Sequence, residues 1–247
     1  MKSIASYGFF VVAYESCPID SGCKNGQQQF LEALKTVRYL EDNAANFKSV
    51  NFSAGYSASG HSTGARSVLI LAAARDNVNY LKGMSDYELT SRDRTILAKF
   101  KCVVGDHPDP MYDPKQNPDI SRFNISKTPV MLVTGTLDFR PIGEPTLSAW
   151  KDFNMMPALK HRIFFNIRNA THLNPCFSHP EAPFIAWFAQ YHVDGNKTAG
   201  NLVYGNTSSE ALCNQRSFLA LRGETNNGGS NKEVSCLALC SDCDTFL

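Results

Sequence analysis

Residues 53–65 read SAGYSASGHSTGA, a stretch in which every side chain but Tyr56 and His61 is small and four are serines. Two overlapping readings offer a nucleophilic serine, Ser57 in GYSAS and Ser62 in GHSTG. A nucleophile on a sharp strand-to-helix turn follows the pattern G-x-S-x-G, because the residues flanking the serine must be small enough to pass the neighbouring strand and helix. Such a turn needs a helix to begin directly after the serine. Ser57 is followed by Ala58, Ser59, Gly60 and His61, a poor helix start, whereas Ser62 is flanked by Gly60 and Gly64 and precedes ARSVLILAAARD, a strongly helix-forming run. The spacing therefore predicts a close-packed strand over 53–59, a turn over 60–64, and Ser62 as the nucleophile. The helix N-terminus places the Thr63 N–H beside the hydroxyl, where it can meet a developing oxyanion.

Working outward, apolar runs of strand length alternate with segments of helical period, the pattern of a mainly parallel sheet flanked by helices. A strand is expected over Phe9–Tyr14, then a helix over Gln27–Glu41 with Phe30, Leu31, Leu34, Val37 and Leu40 on one stripe. FKCVVGD (100–106), PVMLVTGTLD (129–138) and HRIFFNIRNATH (161–172) read as further strands, and PEAPFIAWFAQYH (180–192) as a closing helix. From about Gly195 the composition turns polar, and GETNNGGSNKE (223–233) reads as a flexible linker. These boundaries divide the chain into a domain over 1–194 and a cysteine-containing tail over 195–247.

A serine hydroxyl becomes a useful nucleophile when a histidine removes its proton and a carboxylate holds that histidine in the right tautomer. In an α/β arrangement of this type the order is Ser, then Asp or Glu, then His, each after a strand. Asp138 ends the VMLVTGTLD run and His172 follows the last apolar run, so Ser62, Asp138 and His172 fall in the required order. Asp106 and Asp109 follow an earlier strand and are the alternative acid. His161 opens a strand, His179 precedes a helix and His192 ends one, which leaves His172 as the expected base.

The 247 residues suffice for one large α/β core, and 24 Lys+Arg against 23 Asp+Glu leave no basic footprint for nucleic acid or an anionic membrane. Asn51, Asn124, Asn169, Asn196 and Asn206 each open an N-x-S/T sequon, and the 8 cysteines are an even number. Both features point to an oxidising, secretory setting. Lys2 and the following apolar run mimic a signal peptide, but no small-residue cleavage site follows, and a strand beginning after Gly8 explains the run better. No apolar run is long enough to span a membrane. Cys17 and Cys23 bracket a short loop, while Cys213, Cys236, Cys240 and Cys243 crowd the tail without histidine or zinc spacing, so disulfides are expected there. Cys176 is a candidate to join the tail to the histidine loop.

With these motifs in place, the chain resembles the α/β-hydrolase superfamily, and within it the polyester hydrolase and cutinase-type branch related to dienelactone hydrolases and chlorophyllases. IASYGFFVVAYES (4–16), the QQ start of the following helix, GHSTG (60–64), TPVMLVTGTLDFRP (128–141) and NATH (169–172) carry the likeness, which runs from about Ile4 to Tyr191. The resemblance implies an α/β-hydrolase fold and a serine esterase that cleaves carboxylic esters through an acyl-enzyme. It assigns one oxyanion N–H to Thr63 and substrate-cleft positions to His61 and His107.

Thr63 and Ala65-Arg66 depart from the branch's usual residues after the serine. The loop GDHPDPMYDP is unusual too, and its Asp106, His107, Asp109 and Asp113 read as turn formers and cleft lining, with a metal the lesser alternative. The family places two or three strands and the second oxyanion loop ahead of the point where this chain begins, which implies an N-terminally incomplete sequence or half an oxyanion hole. The expectation is thus a secreted, monomeric ester hydrolase acting on a small or polymeric ester without cofactor or metal. Chlorophyllase-like, lactone or amide hydrolysis by the same residues is the alternative chemistry, and an inactive hydrolase-fold binding protein the alternative of another class.

Overall fold

The computed structural model describes residues 2–14, 26–77, 79–80, 89–108, 125–138, 145–174, 180–205, 208–215, 217, 219 and 236–240. One sheet runs through them in the spatial order β1 (Tyr56–His61), β2 (Phe100–Asp106), β3 (Val130–Gly135), β4 (Arg162–Ile167) and β5 (Cys236–Leu239). The first four strands are parallel and β5 closes one edge antiparallel to β4. The helices are α1 (Lys2–Ala5), α2 (Gly26–Asp42), α3 (Thr63–Asp76), α4 (Ser91–Lys99), α5 (Pro145–Asn154), α6 (Ala182–Asp194) and α7 (Lys197–Tyr204). The chain is therefore α/β, with a mostly parallel five-stranded sheet between helices.

Because a strand sends alternate side chains to opposite faces, the apolar strands feed two cores. Val103, Val130, Leu132 and Phe164 join Phe30, Leu34 and Val37 of α2, the α3 residues Val68 to Ala74, and Phe153 of α5 on one face. Val104, Met131, Val133, Ile163 and Phe165 meet Phe184, Ile185 and Phe188 of α6 and Val203 of α7 on the other. Every residue of α3 from Ala65 to Ala74 is buried, which explains its lack of a polar face. Truncating Leu69 or Leu71 to alanine inside such a helix costs about 2–5 kcal/mol.

Local signals fix the helix ends. Thr90 and Asp93 form a reciprocal capping box at the start of α4, the Asn196 side chain accepts from the Ala199 N–H at the start of α7, and Gly195 ends α6 with φ 70°. Asp76, at the end of α3, accepts the N–H groups of Ser126, Lys127 and Thr128 at 2.9, 2.7 and 2.9 Å and the Thr128 hydroxyl at 2.7 Å. One carboxylate thereby anchors the entry to β3.

Two expectations change. Phe9–Tyr14 does not join the sheet: Phe10 is 52% exposed and its ring packs at a tilt against Phe47, while Gln190 of α6 bonds the Tyr7 carbonyl just before the run. Its β-branched and aromatic composition supplies a local preference only, and a strand also needs a ladder partner. The strand before the serine begins at Tyr56 rather than Ser53. Ser53 is instead turned by the Asn51 side chain, and Gly55 takes φ 103° where a Cβ would stand 2.6 Å from the Lys99 carbonyl. The linker over 223–233 lies outside the described residues, as do Cys17, Cys23, Cys176 and Cys243. A disulfide joins Cys213 to Cys236 and so ties β5 to the chain that follows α7. No described helix is long and apolar enough to cross a membrane.

Candidate functional site

Ser62 sits between the end of β1 and the start of α3 with φ 58° and ψ −122°, a conformation that non-glycine residues seldom adopt. Its N–H donates to the Asp106 carbonyl at 3.0 Å, and its own carbonyl accepts from the Ala65 N–H at 2.9 Å as the helix begins. The turn is closed so tightly that a Cβ on Gly60 would lie 2.1 Å from the Gly64 carbonyl oxygen. Glycine at 60 is a steric requirement of this turn. Thr63 is the first residue of α3, so its N–H belongs to the end that points out of the helix.

Asp138 and His172 come from adjacent turns, after β3 and β4. The Asp138 N–H donates to the Gly135 carbonyl, and the Leu137 N–H donates to the Ala170 carbonyl at 2.9 Å, lacing one turn to the other. His172 Nδ1 lies 2.9 Å from Asp138 Oδ1, with both residues buried. A carboxylate can only accept, so this contact places the proton on Nδ1 and leaves Nε2 as the basic nitrogen. His172 Nε2 is buried and makes no hydrogen bond, so the Ser62 hydroxyl is not bonded to it in this structure.

The other two sequence-assigned positions lie beside this pair. His61 Nε2 donates to the His172 carbonyl at 2.7 Å, and the two rings are 4.7 Å apart between centroids. His61 thus holds the histidine turn as well as flanking the serine. His107 is fully buried with φ 47°; its N–H donates to the Val133 carbonyl and its Nδ1 lies 2.7 Å from Asp106 Oδ1. Asp106, weighed as an alternative acid, therefore pairs with His107 while Asp138 pairs with His172. Asp109 lies outside the described residues.

These groups bias one another. Burial holds the His61 ring below the ordinary histidine range, outweighing the His172 carbonyl and the Asp106 charge that favour its protonation. At His107 burial works in the same direction, but the Asp106 hydrogen bond and charge, with Asp138 and Glu181 adding to them, prevail and raise it. Glu181, buried immediately before α6, is a site group that the sequence reading passed over. Its only signal was a glutamate at the start of an otherwise apolar helix.

Ser62, Asp106, His107, Asp138 and His172 gather at the C-terminal ends of four parallel strands, where open α/β sheets bind ligands. The described residues with positive φ other than glycine are Ser62, His107 and Asn169, all at this same end. Among the described residues no cluster of histidine, cysteine and carboxylate side chains is arranged to hold a metal ion, and Asp113 lies outside them. No family model matches the chain, and no curated protein matches it in sequence.

Proposed function

We propose that this chain has an α/β-hydrolase fold and is a serine hydrolase of carboxylic esters. The observation that carries the reading is the buried Asp138–His172 pair at 2.9 Å, on the same end of the sheet as Ser62 in its strained turn. In this reading Ser62 Oγ attacks the ester carbonyl while His172 Nε2 takes the hydroxyl proton, and Asp138 stabilises the imidazolium that forms. The Thr63 N–H holds the oxyanion. His172 then gives its proton to the departing alcohol, leaving an acyl-enzyme. Water attacks that acyl group, its proton passes to His172, and collapse returns the proton to Ser62 as the acid departs. Lactones, amides and chlorophyllase-type long-chain esters fit the same sequence of steps, and resemblance to the cutinase-type branch favours polyester or cutin-like substrates.

The Cys213–Cys236 disulfide and the exposed sequon residues Asn51, Asn169 and Asn196 support an extracellular setting. A catalytically inactive binding protein is the rival reading, favoured by the absence of a Ser62–His172 hydrogen bond. Hydrolysis of short-chain p-nitrophenyl esters tests the choice. Ser62→Ala and His172→Gln are each expected to reduce kcat by about 10⁶-fold, and Asp138→Asn by about 10⁴-fold. A wild-type rate equal to that of Ser62→Ala would favour the binding protein.

A further inference from the structure

Beside the pair assigned to catalysis stands a second carboxylate–imidazole pair that the reaction above does not use. Asp106 ends β2 in register with His61, the last residue of β1, so His107 and Ser62 each follow directly after this final pair of the ladder. The Ser62 N–H bonded to the Asp106 carbonyl keeps the two turns together. The His107 ring lies 5.9 Å from His61 and 6.2 Å from His172 between centroids, edge-on to the latter. Its Nδ1 is committed to Asp106, which leaves Nε2 as the ring nitrogen still free to bond, and Nε2 is buried without a hydrogen-bond partner.

An orphaned buried imidazole nitrogen in a strained backbone position requires an explanation, because burial without a partner is costly and strain persists where the surrounding structure enforces it. Resting on the serine hydrolase reading, we propose that His107 is a charged hydrogen-bond donor of the same site: Asp106 holds the imidazolium, and its Nε2–H is presented to the substrate oxygen that gains negative charge as Ser62 attacks. The groups facing His107 are Asp106 from β2, Asp138 after β3, Glu181 before α6, His61 from β1 and His172 after β4. The three carboxylates outweigh burial and raise its affinity for a proton. A charged donor is about twice as strong as a neutral one and shorter. With the Thr63 N–H, His107 supplies two donors of different origin, one from a helix end and one from a side chain.

The second-order rate of labelling by a fluorophosphonate, whose phosphoryl oxygen occupies the same position, reads the donor directly. His107→Leu is expected to slow labelling by about 10²–10³-fold, the usual loss for one oxyanion donor, with His107→Gln, a neutral donor, falling between. The wild-type rate should fall as pH rises through the His107 titration, observed separately by imidazole NMR, and this fall should vanish in both variants. Melting curves identify a variant that fails to fold, in which case the milder glutamine substitution and the wild-type pH profile decide. Wild-type labelling rates in folded His107 variants, or a wild-type profile without that fall, would overturn the donor role while leaving the hydrolase reading intact. No labelling of wild type at Ser62 would overturn both.

Discussion

Gly135 meets Ala170 backbone to backbone, so closely that a Cβ at 135 would stand 2.3 Å from the Ala170 carbonyl oxygen. This contact locks the turn that carries Asp138 onto the turn that carries His172. Gly135→Ala must push them apart. It is expected to cost about 1–3 kcal/mol of stability, the range for overpacking, and to reduce ester hydrolysis beyond what the stability loss explains. Thermal melting and kcat on the same samples check both, and an active variant with unchanged melting would show that the contact does not position the pair.

The opposite shifts of two neighbouring histidines give stability a predictable pH dependence. His61 has a lowered folded value, so the unfolded chain takes up its proton first, and stability is lost as pH falls below about 6.5, the ordinary histidine value. His107 has a raised folded value, so its contribution is present below about 6.5 and lost as pH rises through the folded value. Chemical denaturation across pH should therefore show His61→Gln flattening the acid side and His107→Gln the alkaline side. Identical slopes in the variants and the wild type would contradict these assignments.

Far from the serine, Asp76 satisfies three backbone N–H groups and a hydroxyl at the entry to β3. Asp76→Ala removes the acceptor of the part-buried Ser126 and Thr128 donors and of the exposed Lys127 N–H, and a buried donor left unpaired costs about 1–3 kcal/mol. The variant is expected to lose several kcal/mol, and hydrogen exchange at residues 126–128 should accelerate first. Unchanged exchange there would show that the clamp is dispensable.

How much of this was legible beforehand depends on whether the signal was local. The Gly60–Gly64 turn, α3 and β2 follow from residue size and periodicity within short windows, and the order of Ser62, Asp138 and His172 follows from strand ends. The Asp138–His172 contact was therefore readable as an expectation. Phe9–Tyr14 failed because strand formation depends on a partner that composition does not specify. Strand β5 was missed for a related reason: CLAL (236–239) is a short run among cysteines, and its place in the sheet comes from pairing with β4 and from the Cys213–Cys236 bridge. The His107–Asp106 pair was hidden because adjacent residues in a sequence look like turn formers until φ is known.

Fluorophosphonate labelling followed by peptide mapping reads out whether Ser62 is the nucleophile of an ester hydrolase. One adduct is expected, on the peptide containing Ser62, absent in Ser62→Ala and strongly slowed in His172→Gln. An unlabelled folded wild-type protein, or an adduct that persists in Ser62→Ala, would contradict it.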